Sequence, residues 1–454
     1  MDLFGTAGIR GPVTTVTPEL ALSVGQAVAE RIREREEDTP AVVLARDGRE
    51  TGEGLASACE AGLTSGGVDV RKLGELPTPA LAFASQGRYG IMLTASHNPP
   101  EDNGIKLFVD GVEYDQEAER DIERRVSAGT SQAAWDDWGI TEQREILPGY
   151  RAAVCSYAEQ FGDSLAGLDV AVDCGGGMAS LATPQVLSEL GANVQALNAS
   201  VDGHFSARPS KPTPETITDL RAFVADGPAA FGIAHDGDAD RIVIVDSEGE
   251  VVHEDTILAI VAEQYTRASD AGDPVVITTP NASGRIDERV EAVGGRVERV
   301  RLGALHEGIA AARTAGTEET TVVFAAEPWK HIHTGFGGWI DGVASAAVIA
   351  RLVAESGLDS LREPVSERPY RKESITCPDE QKEVVMDALA QTLPSEFPDA
   401  AVDTEHGVRL ELGDGEWTLI RPSGTEPYIR IYAESDTVDE LVSRVRKTVE
   451  AEIE

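Results

Sequence analysis

The chain has 454 residues, 41% hydrophobic and 26% charged, the composition of a folded globular protein with room for three or four domains. Its 79 Asp and Glu against 39 Lys and Arg give a formal charge of −40, which leaves no basic stripe to meet nucleic acid and excludes that class of partner. No apolar run approaches the roughly 18 residues of a membrane span and the acidic start "MDLFG" resembles no signal peptide, so a cytoplasmic protein with no membrane partner is expected.

The acid is spread through segments that pattern as folded, although the block "EREED" at 34–38 would mark disorder in isolation. Such a surface repels itself in dilute buffer and is screened to within about 3 Å at 1 M salt, so a salty, halophilic cytoplasm is the expected setting. Only seven basic residues are lysines: 72, 106, 211, 330, 372, 382 and 447. The four cysteines, Cys59, Cys155, Cys174 and Cys377, show no C-x-x-C spacing and suit a reducing compartment as buried thiols.

In chain order, "LFGTAGIRG" comes first and places Arg10 in a glycine-rich loop ahead of a long helix. Near residue 41 the run "AVVLARD", the turn "GRETG", the helical "LASACEAGLTSGG" and the run "VDVRKLG" predict a strand, loop, helix and strand. The same series recurs near 168 ("LDVAVD", "CGGGMAS", "LATPQVLSELGA", "NVQAL") and near 274 ("PVVITT", "PNASGR", "IDERVEAVGG", "RVERVRLG"). In each, a glycine stops the helix, and the continuous Val/Ile/Leu runs predict strands buried on both faces of mainly parallel sheets.

After the first unit stands "TASHNPPEDNGIKLF", 94–108. Ser96 beside His97 reads as a nucleophile loop or as a plain surface turn; Asn98-Pro99-Pro100 would stiffen the turn and expose the hydroxyl. The acyl-transfer elbow G-x-S-x-G is absent. Lys106 is a candidate to stabilise a transferring phosphoryl group or to move a proton.

In "HDGDADRIVIVD", 235–246, Asp236, Asp238 and Asp240 alternate with small residues between two apolar runs. Three clustered carboxylates repel one another unless a cation sits among them, and oxygen ligands favour a hard ion such as Mg2+. Arg241 follows directly; a solvated acidic turn is the other reading. An EF-hand loop is excluded, since its sixth and twelfth positions would fall on Arg241 and Ser247.

The stretch "AAEPWKHIHTGFGGWIDG", 325–342, holds Glu327, Lys330, His331 and His333 in a loop able to hydrogen-bond sugar hydroxyls. With no third soft ligand, His331 and His333 do not read as a transition-metal site. Beyond "REPVSERP" the pattern changes to the helix "EQKEVVMDALAQTL", the strands "GVRLEL", "EWTLIRP" and "YIRIYAES", and the helix "VDELVSRVRKTVEAEI". In "RPSGTEPYIRIY", Arg421, Ser423, Thr425 and the amides around Gly424 read as an anion nest, with Arg430 on the next strand, or as an ordinary Pro-Ser-Gly turn. These patterns divide the chain at about 1–148, 149–250, 251–366 and 367–454, the last a smaller α+β domain.

The motifs "FGTAGIRG", "TASHNPPEDNGIK", "DGDADR", "EPWKH" and "RPSGTEP" together resemble the α-D-phosphohexomutase family, which includes phosphoglucomutase, phosphomannomutase and phosphoglucosamine mutase. The resemblance implies an α/β fold of four domains around a central cleft, the first three related. It implies Ser96 as the phosphorylated serine, with Asp236, Asp238 and Asp240 holding Mg2+ together with an oxygen on Ser96. Arg10, His97, Lys106 and Arg241 would line the catalytic centre, and Glu327 and His331 would grip sugar hydroxyls. Arg421, Ser423, Gly424, Thr425 and Arg430 would hold the distal phosphate. The activity implied is interconversion of hexose 6-phosphate and hexose 1-phosphate through a phosphoserine and a hexose bisphosphate.

The sequence departs from the family pattern in two places. Trp329 and Lys330 stand where the sugar loop usually has Ser-Gly, and Arg301 stands in place of a lysine. A catalytically idle sugar-phosphate binder and a Mg-dependent sugar phosphatase are the competing functions.

Overall fold

The computed structural model describes residues 3–5, 8–35, 40–413, 415–423 and 427–453. It divides into two compact units: Met1–Glu254 with Trp329–Leu361, and Asp255–Pro328 with Arg362–Glu454. The segment expected as one domain, 251–366, is therefore shared between both units.

In the first unit the predicted strands Val42–Arg46 and Val70–Glu75 pair in parallel, joined by the helix Gly52–Ser65. They sit in an eight-stranded sheet whose other half is antiparallel. There Tyr89–Leu93 and Asp102–Val109 form a hairpin, and Gly8–Pro12 adds to its outer side. The helices Pro18–Arg35 and Gly52–Ser65 cross so closely that a Cβ on Gly62 would lie 2.2 Å from the Leu22 carbonyl oxygen, so only glycine fits. Their apolar faces, with Val24, Val28, Leu55 and Leu63, bury against Leu44 and Ile91 of the sheet.

The second sheet of this unit runs Asn193–Leu197, Asp169–Asp173, Phe231–His235, Ile242–Val245, parallel except for the last antiparallel pair. The helix Gly342–Ser356, from the returning segment, packs against the helices Leu147–Ala158 and Thr183–Glu189 and the strand Ile242–Val245. Asp341 caps it: its carboxylate accepts from Ala344 N at 2.8 Å, the Tyr150 hydroxyl at 2.9 Å and Trp339 Nε1 at 3.0 Å.

The second unit contains the strands Arg296–Arg299, Asp273–Thr278 and Thr320–Glu327, all parallel. Gly67, Gly191 and Gly294, one after each repeated helix, have φ of 85°, 107° and 87°, the left-handed stop expected of them. The C-terminal sheet is wholly antiparallel, ordered Tyr370–Thr376, Tyr428–Glu434, Glu416–Pro422, Val408–Gly413, Ala401–Asp403. Helices Lys382–Glu396 and Val438–Ile453 cover it through Leu389, Leu393, Val445 and Val449. A buried pair of Arg285 and Glu434 joins this sheet to the parallel one, with Trp417 Nε1 donating to the same carboxylate at 2.9 Å. All four cysteines are buried, and burial pushes the Cys59 and Cys174 thiols up to about 12. Among the described residues no helix is long and apolar enough to cross a membrane.

Candidate active site

Two antiparallel strand pairs of the first unit each hold out one loop. The loop after Tyr89–Leu93 carries Ser96, and the loop between Phe231–His235 and Ile242–Val245 carries the three aspartates. The loops meet: Ser96 Oγ donates to Asp236 Oδ2 at 2.7 Å, and a Cβ on Gly237 would lie 2.7 Å from the Ser96 carbonyl oxygen. Ser96 (φ 50°) and Ala239 (φ 60°) hold left-handed backbone without being glycine, a local strain that the surroundings must fix.

The expectation that the proline turn exposes the serine hydroxyl is corrected. Ser96 is 1% exposed because the aspartate loop closes over it. The loop is held from beneath by Arg49, which is fully buried and which sequence reasoning missed. Arg49 donates to the carbonyl oxygens of Ser96 (2.9 Å), Asn98 (2.8 Å), Asp102 (2.9 Å) and Pro99, and from Nε to Asp47 at 3.1 Å. Thr94 Oγ1 donates to the same Asp47 carboxylate at 2.7 Å and accepts from Ser96 N at 2.9 Å. Arg208 braces the other loop in the same way, donating to Asp173 at 2.6 Å and to the His235 carbonyl at 2.7 Å. The available signal was an arginine shortly after an aspartate that ends a buried strand, as in "ARDGRE".

Asp236, Asp238 and Asp240 are all buried, with one carboxylate oxygen from each within 4.8 Å of the others. Lys106 Nζ donates to Asp240 at 2.9 Å and stands 3.6 Å from both Asp238 and Glu113; Arg241 Nε lies 3.7 Å from Asp236 and 3.9 Å from Asp240. Thr78 Oγ1 donates to Asp238 at 2.6 Å. Burial works against ionisation of Asp240, but Lys106, Lys330 and Arg241 override it and hold that carboxyl far below its usual range. Asp236 goes the other way: burial and the charges of Asp240 and Asp238 push it well up, because the cations gather at Asp240.

Two carboxylate oxygens, Asp238 Oδ1 and Asp240 Oδ1, are buried without a hydrogen-bond partner among the described residues. Three converging carboxylates with unsatisfied oxygens fit a hard divalent cation. Two roles were open for Lys106, stabilising a transferring phosphoryl group or moving a proton. Burial opposes its charge, but Asp240, Asp238 and Glu113 outweigh that and keep it an ammonium, so its place is charge compensation. His97 sits with Nδ1 3.4 Å from Ser96 Oγ, and burial, helped by Arg241 and Arg10, pushes the imidazole down to about 3, leaving it neutral. Arg10 stands on Gly8–Pro12, where its backbone pairs with Gly104, close enough for its charge to act on both His97 and Lys106.

Trp329 and Lys330 are stitched to the end of the aspartate loop: Ile242 N donates to the Trp329 carbonyl at 3.1 Å, and the Lys330 backbone pairs antiparallel with that of Arg241. His331 and His333 share one hydroxyl partner. They are 2% and 1% exposed, both ring-bonded to Ser345 Oγ at 3.0 and 2.8 Å, and burial holds each near 3. Both rings are neutral, and the sugar grip that the resemblance implies for His331 stays a proposal. Glu327 belongs to the second unit, where it accepts from Gly303 N; Arg301 pairs with Glu307 at 2.5 Å.

The second unit also holds Arg421, Ser423 and Arg430; Gly424 and Thr425 lie outside the described residues. Arg421 and Arg430 face each other across adjacent strands. Arg421 Nη2 donates to the Tyr432 hydroxyl at 3.1 Å with its guanidinium 5.4 Å from that ring centre, and Lys382 Nζ donates to the Ser423 carbonyl at 2.7 Å. Sequence reasoning missed Tyr432 and Lys382. The cluster is a cationic cradle suited to an anion.

Comparison with known proteins follows the same lines. Models of phosphoglucomutase/phosphomannomutase domain I, domain II and the C-terminal domain match residues 1–133, 150–249 and 375–452. The chain is 40% identical to a phosphopentomutase of Thermococcus kodakarensis, covering 99% of this chain and 98% of the relative. It is 39% identical to a probable phosphoglucosamine mutase of Methanopyrus kandleri, covering 98% of each. A phosphoglucomutase/phosphomannomutase family protein of Burkholderia thailandensis superposes with a TM-score of 0.84 at 25% identity, covering 98% of this chain and 97% of that one. Family models over residues 1–133, 150–249 and 375–452, with relatives 40% and 39% identical along almost the whole chain, make it a member of the phosphoglucomutase/phosphomannomutase family, the α-D-phosphohexomutases.

Proposed function

We propose that this chain is a phosphosugar mutase that interconverts hexose 6-phosphate and hexose 1-phosphate through phosphoserine at Ser96 and a bisphosphorylated sugar. The observation that carries the reading is the Ser96 hydroxyl 2.7 Å from Asp236, on the rim of the aspartate triad. Relatives named for phosphoglucosamine support a hexosamine phosphate as substrate.

In the first half-reaction the bond from Ser96 Oγ to phosphorus breaks as a sugar hydroxyl oxygen bonds to that phosphorus; the second is the reverse exchange, from the sugar's other phosphate to Ser96 Oγ. The proton lost by the sugar hydroxyl balances the one gained by Ser96 Oγ. The bisphosphate turns over, and its other phosphate returns to Ser96. Asp236, Asp238 and Asp240, with an oxygen of phosphorylated Ser96, would hold Mg2+, which when bound neutralises charge on the phosphoryl oxygens. Lys106 balances the triad, while Arg10 and Arg241 supply positive charge beside the transferring group. Neutral His97 offers a lone pair next to Ser96 Oγ. Glu327 contacts sugar hydroxyls, and Arg421, Ser423 and Arg430, with Gly424 and Thr425, hold the phosphate that does not react.

Ser96→Ala tests the reading: turnover is lost with the fold kept, and phosphate from a labelled sugar bisphosphate maps to Ser96 in the parent. Full activity in the alanine variant refutes it, and release of inorganic phosphate without isomerisation identifies a phosphatase instead. A pentose phosphate substrate is the second reading, favoured by the Thermococcus relative named phosphopentomutase and by Trp329-Lys330 in the sugar loop. Rates on glucosamine, mannose, glucose and ribose 1-phosphates decide between them.

A further inference from the structure

At one end of the eight-stranded sheet the strand Thr141–Gln143 is an open edge: all three residues are exposed, and among the described residues no strand pairs with its outer side. Its inner side is spent on Val70–Glu75, with Val70 N donating to the Ile140 carbonyl at 2.8 Å and Arg144 N donating to the Lys72 carbonyl at 3.0 Å. In a parallel pair such bonds come from alternate residues, so Ile140, Glu142 and Arg144 turn their peptide groups inward. Thr141 and Gln143 turn theirs outward, leaving open donors and acceptors of the kind that pair with another chain.

The ground leading to this edge is apolar and firmly held. Ala133 N donates to the Ser65 carbonyl at 2.8 Å and Gly139 N to the Thr64 carbonyl at 3.0 Å, which lays 133–139 along the end of the helix Gly52–Ser65. Thr141 Oγ1 donates to Glu60 of that helix at 2.9 Å, so by alternation Ile140, Glu142 and Arg144 project from the opposite face. Trp135 is 88% exposed, Trp138 51% and Ile140 61%, three large apolar side chains left in water within six residues. Single exposed apolar residues are ordinary, but a cluster running into an open edge points to a contact surface.

The sequence of the edge identifies its occupant. A copy carrying −40 meets another such copy favourably only where opposite charges face each other. Residues 140–146 read Ile-Thr-Glu-Gln-Arg-Glu-Ile, and an antiparallel copy related by a two-fold axis through Gln143 meets that condition. Gln143 would exchange both backbone bonds with the Gln143 of the other copy, and Thr141 with Glu145. Glu142 would lie opposite Arg144 twice, with Ile140 opposite Ile146 at the ends. Within one copy Glu142 and Arg144 pair at 2.6 Å and both stay about half exposed, within reach of a second copy. An axis through Thr141 would instead set Glu142 against Ile140, and one through Glu145 would run the strand into the helix Leu147–Ala158. We propose that this edge is a homodimer interface, in which two copies join their sheets through Thr141–Gln143 with Glu142 of each against Arg144 of the other. The paired stretch is short, which places the contact among weak interfaces of less than about 1,200 Å², with micromolar dissociation. The proposal is independent of the mutase reading.

Sedimentation velocity of the full chain in about 0.5 M KCl, from about 2 to 200 µM, should show monomer passing into dimer. That salt screens the net charge of the two copies while pairs in contact stay coupled. Glu142→Arg and Arg144→Glu each set like charges opposite one another at both pairs, and each variant alone should dimerise at least tenfold more weakly than the parent. Mixed in equal amounts, with one of them fluorescently labelled, the two variants should form a heterodimer at least tenfold tighter than either forms with itself, since every cross pair is again opposite in sign. Gln143→Pro removes an outward N–H and no bond to Val70–Glu75, so it should abolish the dimer while its circular dichroism stays that of the parent. A parent that remains monomeric across the range overturns the interface, and so does a parent dimer that the charge variants leave intact. Weakened variants that fail to recognise each other overturn it too, because the register through Gln143 would then be wrong. Should Gln143→Pro not fold, the two charge variants, at exposed positions, still decide.

Discussion

Replacing Arg49 by methionine keeps most of the side-chain volume and removes the guanidinium under the serine loop. The lost contacts are the ion pair with Asp47 and the bonds to the carbonyls of Ser96, Asn98, Pro99 and Asp102. Asp47 is 0% exposed, and stranding a buried carboxylate costs about 3–5 kcal/mol. Exposed Pro99 and half-buried Asn98 regain water for their carbonyls, so the bonds add little beyond that figure. We take about 4 kcal/mol for local stability, equivalent to roughly a thousandfold in the opening equilibrium. Hydrogen exchange at amides 94–104 reads this directly, without assuming that the two units unfold together. Those amides should exchange about a thousandfold faster in Arg49→Met, and turnover should fall at least ~100-fold because Ser96 Oγ is no longer held in place. The pair Asp47→Asn with Arg49→Met should recover about 1–3 kcal/mol relative to additive losses. Exchange in Arg49→Met within tenfold of the parent would refute the view that Arg49 holds the loop.

Three further outcomes are expected. Asp238→Asn removes one anionic ligand of the triad, so calorimetric Mg2+ affinity should fall at least ~10-fold, and chelator should inactivate the parent until Mg2+ is restored. Glu119 is pushed up to about 7 from 4.5 by burial and by the charges of Glu113, Glu123 and Asp115. Its stabilisation is therefore complete below pH 4.5 and lost as pH rises through about 7, and Glu119→Gln should be more stable than the parent at pH 8 by about 1 kcal/mol after discounting for its exposure, with the gap closing at pH 4.5 in melts at fixed KCl. With a formal −40 on 454 residues, melting temperature and activity should rise together from dilute buffer to molar KCl, the gain above about 0.1 M exceeding what screening supplies; a melt that ignores KCl would assign the acidic surface another cause.

The three repeated units were legible because the first strand of each is buried on both faces and each helix ends near a glycine, and both signals are local. The hairpin that carries Ser96 was not. Tyr89–Leu93 and Asp102–Val109 are antiparallel, joined by a loop whose shape comes from Arg49, some fifty residues away. The edge strand Tyr370–Thr376 was missed since its sequence "YRKESIT" is charged and only its pairing with Tyr428–Glu434 makes it a strand. The aspartate triad was readable from its spacing alone, while the burial of His331 and His333 was not, because Ser345 lies a helical segment later.

The division of the chain bears on how it is made. The first unit is interrupted at Glu254 and completed by Trp329–Leu361. When residue 254 has emerged from the ribosome, the helices Leu147–Ala158 and Thr183–Glu189 still lack the helix Gly342–Ser356, and Tyr150 lacks Asp341. About a hundred more residues must be synthesised first, on the order of 5–20 s at ordinary elongation rates. For that interval the nascent first unit presents an apolar face with no cover, and the strand Ile242–Val245 lacks the bond from Ile242 N to Trp329. The aspartate loop is thus translated well before it is locked, so the centre matures only once the whole of the second unit's first segment, Asp255–Pro328, has been made.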